Sequence, residues 1–298
     1  MAPGYRIEKL EYNVANGCIL RCDQCDHLAP FFGACDAEFS SSITPENFAR
    51  QLALLKPHLH AGSFWILGGE PLLQERILEF LARLRESGIT DQIGLFTNGL
   101  LLANQPDALF QSVDKITISR YASRPISKEA IGTIRRRCEA AGVELGFFWK
   151  THFRKTIVGE RNSNSRQVNS IFQTCANAWS WHCHVIQDGY LYRCSIAPLL
   201  GYKLHQQGLA QRDFHEDDGL KLEDSPGFAD RIRAYLESST PLKSCSYCLG
   251  CVGRRIEHRQ MSKEEVDQQA WTRGTIANGI DRWKLFQMSL RWRLLGQR

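Results

Sequence analysis

From residue 8 to about residue 150 the sequence alternates short apolar runs with stretches of helical period, and nothing else in it constrains the fold as strongly. The runs at residues 8–14, 63–67, 92–96, 115–119 and 143–149 read as strands. Thr44 as N-cap, with Pro45 at the first helical position, opens a helix after the first strand. Residues 73–87 place Ile77, Leu78, Leu81 and Leu84 on one helical face and stop at Gly88. A short helix follows the third strand, and a longer one over residues 128–141 stops at Gly142. Units of this length predict parallel strands covered by helices, an α/β barrel or part of one. In such folds ligands gather at the C-terminal ends of the strands.

The residues at those ends are distinctive. The first strand runs directly into Cys18, Cys22 and Cys25, a C-x3-C-x2-C spacing. Three thiolates on one loop make a soft sulfur site suited to iron–sulfur or zinc. Zinc wants a fourth protein ligand; none stands at an obvious position, although His27 is two residues on. With three ligands one metal position stays open for chemistry. The second strand ends in Gly68-Gly69-Glu70-Pro71, where two glycines let the backbone approach a ligand and expose carbonyl acceptors. Thr97-Asn98-Gly99 follows the third strand, Ser119 ends the fourth, and Lys150 lies just past the fifth.

After residue 151 the rhythm breaks. Residues 151–170 are polar without clear period. Residues 184–193 read as a hairpin on the two-residue Asp188-Gly189 turn. Residues 206–226 form a charged loop, 228–237 a helix, 245–251 a cysteine knuckle, and the tail from 262 is mostly helical. Of the 11 cysteines all but Cys138 lie in regions 18–35 and 175–251, many two or three residues apart. A chain of 298 residues with 43% apolar content can bury a core without disulfide staples. With no signal-like start and no 18-residue apolar stretch, the clusters predict metal binding in a reducing cytoplasm, and neither secretion nor membrane insertion. The net charge of +5 is modest. Arg135-Arg136-Arg137 and Arg254-Arg255 read as solvated faces, and no nucleic-acid motif accompanies them.

In order and position, the cysteine loop, Gly-Gly-Glu-Pro turn and Thr-Asn-Gly turn resemble the radical S-adenosylmethionine (SAM) superfamily. The resemblance implies that Cys18, Cys22 and Cys25 hold a 4Fe–4S cluster whose fourth iron is chelated by SAM. It implies SAM-binding roles for Gly68, Gly69, Glu70 and Pro71, for Thr97, Asn98 and Ser119, and for Lys150 at the carboxylate. One residue departs: the family usually has an aromatic before the third cysteine, against the adenine, and here that residue is Gln24.

Cys175, Gly189 and Cys194 match the C-x9–15-G-x4-C pattern that opens auxiliary-cluster domains of the SPASM and twitch types. Cys245 and Cys248 would complete a second 4Fe–4S cluster in the shorter twitch form, with structural zinc as the alternative. Cys251 is either the true fourth ligand in place of Cys248 or a free thiol beside the substrate; Cys248 and Cys183 are further hydrogen-donor candidates. Cys138 reads as a packed small hydrophobe, and Cys35 has no partner in the pattern.

The expected architecture is a partial (β/α)6 radical SAM barrel over residues 1–165, extending to about 172. A twitch-type domain follows over 166–258, then a helical tail over 259–298. The chain looks like carbohydrate-modifying members of the superfamily, among them neomycin C epimerase and 2-deoxy-scyllo-inosamine dehydrogenase. That implies hydrogen abstraction by a 5′-deoxyadenosyl radical from a carbinol carbon of a sugar, aminoglycoside or aminocyclitol, fed by a one-electron reductant such as flavodoxin or ferredoxin. Epimerisation by cysteine hydrogen return is favoured over dehydrogenation through the auxiliary cluster, because the knuckle offers one thiol more than a cluster needs. Peptide modification is the rival enzymatic reading, disfavoured because a strand near residue 8 leaves no room for an N-terminal peptide-binding domain. A non-catalytic zinc-binding interaction protein is the rival from another class. The acidic residues Asp213, Glu216, Asp217, Asp218, Glu223 and Asp224 read as a solvated loop, with an amino-sugar contact as the alternative.

Overall fold

A computed structural model of the protein describes residues 4–33, 36–209 and 214–295, so Cys35 and Asp213 lie outside the described residues. The strands β1 (Tyr5–Ala15), β2 (Leu59–Gly68), β3 (Thr90–Thr97), β4 (Lys115–Tyr121) and β5 (Glu144–Lys150) pair in parallel with their neighbours in chain order. Parallel neighbours require crossovers. Helices Pro45–Leu55, Ile77–Ser87, Asp107–Gln111 and Lys128–Ala141 lie in those connections, giving the α/β class expected.

The period of two in each strand divides its side chains. Leu10, Tyr12, Phe64, Ile66, Ile93, Leu95, Ile116 and Ile118 pack into one core with Phe48, Leu52, Phe80, Leu81 and Ile134 of the helices. The alternate positions Lys9, Glu11, Asn13, Trp65, Phe96, Ser119, Tyr121 and Lys150 fall on the opposite, far more polar face. Local signals hold in detail. The Thr44 hydroxyl accepts the Asn47 N–H at 3.1 Å, and Gly88 and Gly142 end their helices in the left-handed region. The helix expected over residues 73–87 starts only at Ile77. Pro71–Leu73 is instead a 3-10 turn capped by the Glu70 carboxylate.

β6 (His152–Arg154) leaves this sheet. The sheet grows instead on its other edge, where β7 (Val185–Gln187) lies parallel to β1, followed by antiparallel β8 (Tyr190–Tyr192) and β9 (Leu220–Lys221). Asp188 (φ 50°) and Gly189 (φ 82°) both adopt the left-handed values that a tight hairpin turn requires. β10 (Arg255–Glu257) pairs antiparallel with β6. Helices Ser165–Gln173 and Ile196–Gln206 were not legible in the sequence, whereas Phe228–Glu237 and the tail helices Lys263–Asp267, Ile276–Gly279 and Arg282–Leu295 were. Among the described residues no helix is long and apolar enough to cross a membrane.

Candidate active site

The cysteine loop is seated by backbone. A Cβ added to Gly68 (φ 151°) would stand 2.2 Å from the Ala15 carbonyl oxygen, and one on Gly69 2.2 Å from that of Gly17. In the space so left, the Gly69 N–H donates to Ala15 O at 2.8 Å and the Glu70 N–H to Gly17 O at 2.9 Å. The glycine pair therefore admits the chain's own cysteine loop. Glu70 is fully buried, and its carboxylate accepts from Thr97 Oγ1 (2.6 Å), the Asn98 N–H (2.8 Å) and the Leu72 N–H (3.2 Å). It pins the end of β2 to the end of β3. Burial raises its pKa, against the pull of those donors. Asn98 Nδ2 in turn reaches Cys18 Sγ at 3.8 Å.

Burial pushes the thiols up: Cys18 above its usual value, Cys22 to about 11 and Cys25 to about 12. A metal would reverse this by holding them as thiolates. All the described cysteines are free of disulfides. Over the loop runs a segment that nothing in the local sequence announced. Cys22 and Gln260 form an antiparallel bridge, Asp23 N–H donates to Arg259 O, Met261 N–H donates to Arg21 O, and Gln260 Nε2 reaches Cys22 Sγ at 3.4 Å.

Gln24 sits in the left-handed region with its amide on Asp23 Oδ1, 3.0 Å away. The aromatic group near the loop is Tyr121, whose hydroxyl is in electrostatic reach of all three thiols, bonds Ser119, and stacks on His258 at 4.8 Å. Its place two residues after Ser119, on the same strand face, was the signal available in the sequence. Lys150 ends β5 with its ammonium 4.1 Å from the Phe148 ring; burial lowers its pKa, opposed by Asp26. Asp26 keeps accessible surface, yet desolvation raises its carboxyl while the Thr156 hydroxyl holds it down. His27 Nδ1 is buried without a partner among the described residues, and burial pushes the ring down to about 4.

The second cysteine set converges from three segments. Cys175 caps the short helix Ala176–Trp179, Cys194 follows β8, and Cys245 and Cys248 lie at the 3-10 turn Lys243–Tyr247. All four line one cavity of about 30 Å³. Cys251 does not line it. Its Sγ accepts the Ala176 N–H at 3.3 Å and shares a hydrogen bond with the Cys175 thiol, which raises Cys175 and lowers Cys251. Cys183 does not line it either; it lies 3.4 Å from Lys9 Nζ and in electrostatic reach of Cys194 and Lys150, and Cys138 is packed in the core as expected. Arg193, missed in the sequence, is 1% exposed and lines the same cavity, its guanidinium over Phe172 and Trp179 and donating to Ser238 O and Thr240 O.

Among the described residues no three His, Cys, Asp or Glu side chains close on one ion-sized point. Ligands of a four-iron cluster bind different irons and need not do so, and all-thiolate donor sets of this kind suit such a cluster. The two cysteine regions share a wall. Leu28 and Phe31, just past the first loop, pack with Ile157, Ile196 and Tyr247 against Cys194 and Cys248. The acidic loop is used internally: Asp217 pairs with Lys243, Asp218 accepts the Ser244 N–H, Glu223 pairs with Arg231, and Asp224 with His58.

No family model matches the chain. A GTP 3',8-cyclase of Staphylococcus carnosus (strain TM300) is 31% identical over 180 residues, 57% of this chain and 51% of that protein. One from Staphylococcus haemolyticus (strain JCSC1435) is 28% identical over 177 residues, 55% and 49%. The chain thus spans about half the length of these relatives. Among solved structures, BtrN in complex with AdoMet and 2-DOIA is 14% identical, with 82% of this chain and 87% of that chain covered and a TM-score of 0.45. Streptococcus suis SuiB bound to S-adenosylmethionine is also 14% identical, with 82% and 70% covered and a TM-score of 0.36. Similarity to the cyclases, together with the motifs of the cysteine loop, supports the radical SAM superfamily as the family of this chain.

Proposed function

We propose that the chain is a cytoplasmic radical SAM enzyme that removes hydrogen from a carbinol carbon of a sugar, aminoglycoside or aminocyclitol and inverts that centre. The observation carrying this reading is that Cys175, Cys194, Cys245 and Cys248 line one cavity while Cys251 stands just outside it, against Cys175. Four thiolates suffice for one 4Fe–4S cluster, which leaves Cys251 as a hydrogen donor. Cys18, Cys22 and Cys25 would hold the first cluster, and SAM bound there supplies a 5′-deoxyadenosyl radical. Division into a barrel over residues 1–165, an auxiliary domain over 166–258 and a tail over 259–298 belongs to the same reading.

The chain's own residues then have defined tasks. Gly68 and Gly69 seat the cysteine loop, and Glu70 holds Thr97 and Asn98 behind Cys18. Tyr121, Ser119 and Lys150 provide polar groups on the inner strand face for SAM. Asp26, exposed and in electrostatic reach of Cys194, Cys248 and Cys251, would take a substrate hydroxyl or ammonium. Cys251, in its protonated form, would give a hydrogen atom to the substrate carbon radical, leaving a thiyl radical that takes one electron from the one-electron reductant and one proton from solvent to restore the thiol.

A second reading, oxidation of the carbinol to a ketone, is favoured by Arg193. A buried guanidinium at the cysteine cavity stabilises added negative charge there and so favours electron uptake. The deciding experiment uses anaerobically reconstituted wild type and Cys251→Ala with SAM, a chemical reductant and a panel of aminoglycosides and sugars in deuterated water. A product heavier by one mass unit without net oxidation, lost in Cys251→Ala, is the expected result. A product lighter by two mass units, formed equally by the variant, would make the enzyme a dehydrogenase. Protein that takes up no iron and consumes no SAM would sink both readings.

A further inference from the structure

The helix Arg282–Leu295 has two apolar faces. Leu285 and Met288 pack inward on Leu249, Val252 and Ile280. On the opposite side Trp283 (67% exposed), Phe286 (57%), Leu290 (45%) and Leu294 (74%) form a bare stripe, with the first two rings stacked at 5.7 Å. Residues three and four apart share a helix face, so these four make one band about 80° wide. The same geometry sets Lys284 and Arg291 along one border of the band and Arg282 and Arg293 along the other. The helix contains no acidic residue. Scattered single apolar residues on a surface need no explanation, but a contiguous aromatic band edged with cations marks an interaction site.

Its position says what it meets. The inner face touches Leu249 and Val252, which flank Cys248 and Cys251 in the knuckle, and Lys284 is within electrostatic reach of Cys251. We propose that this outer face docks an acidic one-electron carrier protein, of the flavodoxin or ferredoxin class, beside the auxiliary cysteine set. The proposal rests on the cofactor reading above. Charge complementarity selects an acidic partner and steers its approach. From Trp283 to Leu294 this helix face offers a band about 17 Å long, which suits the small, transient interfaces of electron-transfer partners, below about 1,200 Å², rather than those of stable dimers. In the encounter one electron leaves the carrier and enters a cysteine-held cluster; no bond is made or broken and no proton moves.

The test compares reduction of the reconstituted wild-type protein with that of Trp283→Ser/Phe286→Ser and Arg291→Glu/Arg293→Glu variants, by reduced flavodoxin and by dithionite. Bleaching is followed by stopped flow at low and high salt. Both variants are expected to slow reduction by flavodoxin by about tenfold or more at low salt, with wild type slowing likewise as salt rises. Dithionite, which needs no docking site, is expected to reduce all three proteins alike. Equal rates with flavodoxin would overturn the proposal. So would a wild type that instead dimerises through this face, or binds anionic phosphatidylserine vesicles through it, with flavodoxin rates unchanged. A wild type that dithionite cannot bleach would show that the cofactor reading itself had failed, a result distinct from equal flavodoxin rates.

Discussion

At the scale of single residues, the site depends on what is absent as much as on what is present. Gly69 carries no Cβ because the Gly17 carbonyl oxygen occupies its place, 2.2 Å away, and that oxygen belongs to the backbone that launches Cys18. Gly69→Ala must push two backbones apart. It is expected to destabilise the protein by about 1–3 kcal/mol and to lower iron bound per chain after reconstitution, measured by thermal melting and iron assay. Unchanged iron content would mean that the turn does not position the loop. Glu70 shows the limit of motif reading at this scale. Its identity was legible, but its task as a buried strut for Thr97 and Asn98 was not, because hydrogen bonds between two strand ends leave no local trace. Tyr121 and Arg193 were missed for the same reason. Arg193 adjoins Cys194 and Tyr121 stands two residues past Ser119, but only packing sets either one near the cysteines.

At the scale of elements, local chemistry predicted the fold wherever it was strong. Thr44, Gly88, Gly142 and the Asp188-Gly189 pair each act as their types require. The hairpin also carries a titratable anchor. His184 is 4% exposed, its Nδ1–H donates to Arg193 O at 3.0 Å, and burial pushes its pKa from 6.5 down to about 4. The unfolded chain therefore binds the proton more readily than the folded one. Stability from keeping this ring neutral is complete above pH 6.5 and is lost as pH falls toward 4, about 3 kcal/mol in all. His184→Gln is expected to flatten the stability profile of the apoprotein between those values, as read by denaturant unfolding across pH. An unchanged slope would show that the ring titrates alike in the folded and unfolded chains. The helix Arg282–Leu295 was legible as a helix but its buried side was not: its inner and outer apolar faces oppose each other, so the sequence shows no single amphipathic period.

At the scale of the whole molecule, the cysteine sets gather thiols from distant segments, which a bound cluster would tie together. Cys175, Cys194 and the Cys245–Cys248 pair come from separate elements, and the segment 259–261 closes over the first loop from the far end of the chain. Anything bound by the folded arrangement alone stabilises it by mass action, roughly 2.7 kcal/mol at a hundred times its Kd. Reconstituted protein should therefore melt above the apoprotein, and Cys194→Ala should lose part of that gain while keeping the part due to Cys18, Cys22 and Cys25. Equal melting temperatures for the loaded variant and loaded wild type would mean that the four cysteines hold no common group. By itself the sequence determined the α/β alternation, the caps and turns, and which cysteines fall at strand ends. Those features follow from side-chain periodicity and backbone preference within a few residues. Only the tertiary structure decided that four cysteines line one cavity with Cys251 outside it, that Gly69 faces backbone, and that β7 rather than β6 extends the sheet. Those outcomes depend on contacts between segments far apart in the chain, where packing and burial choose among arrangements that local patterns leave equal.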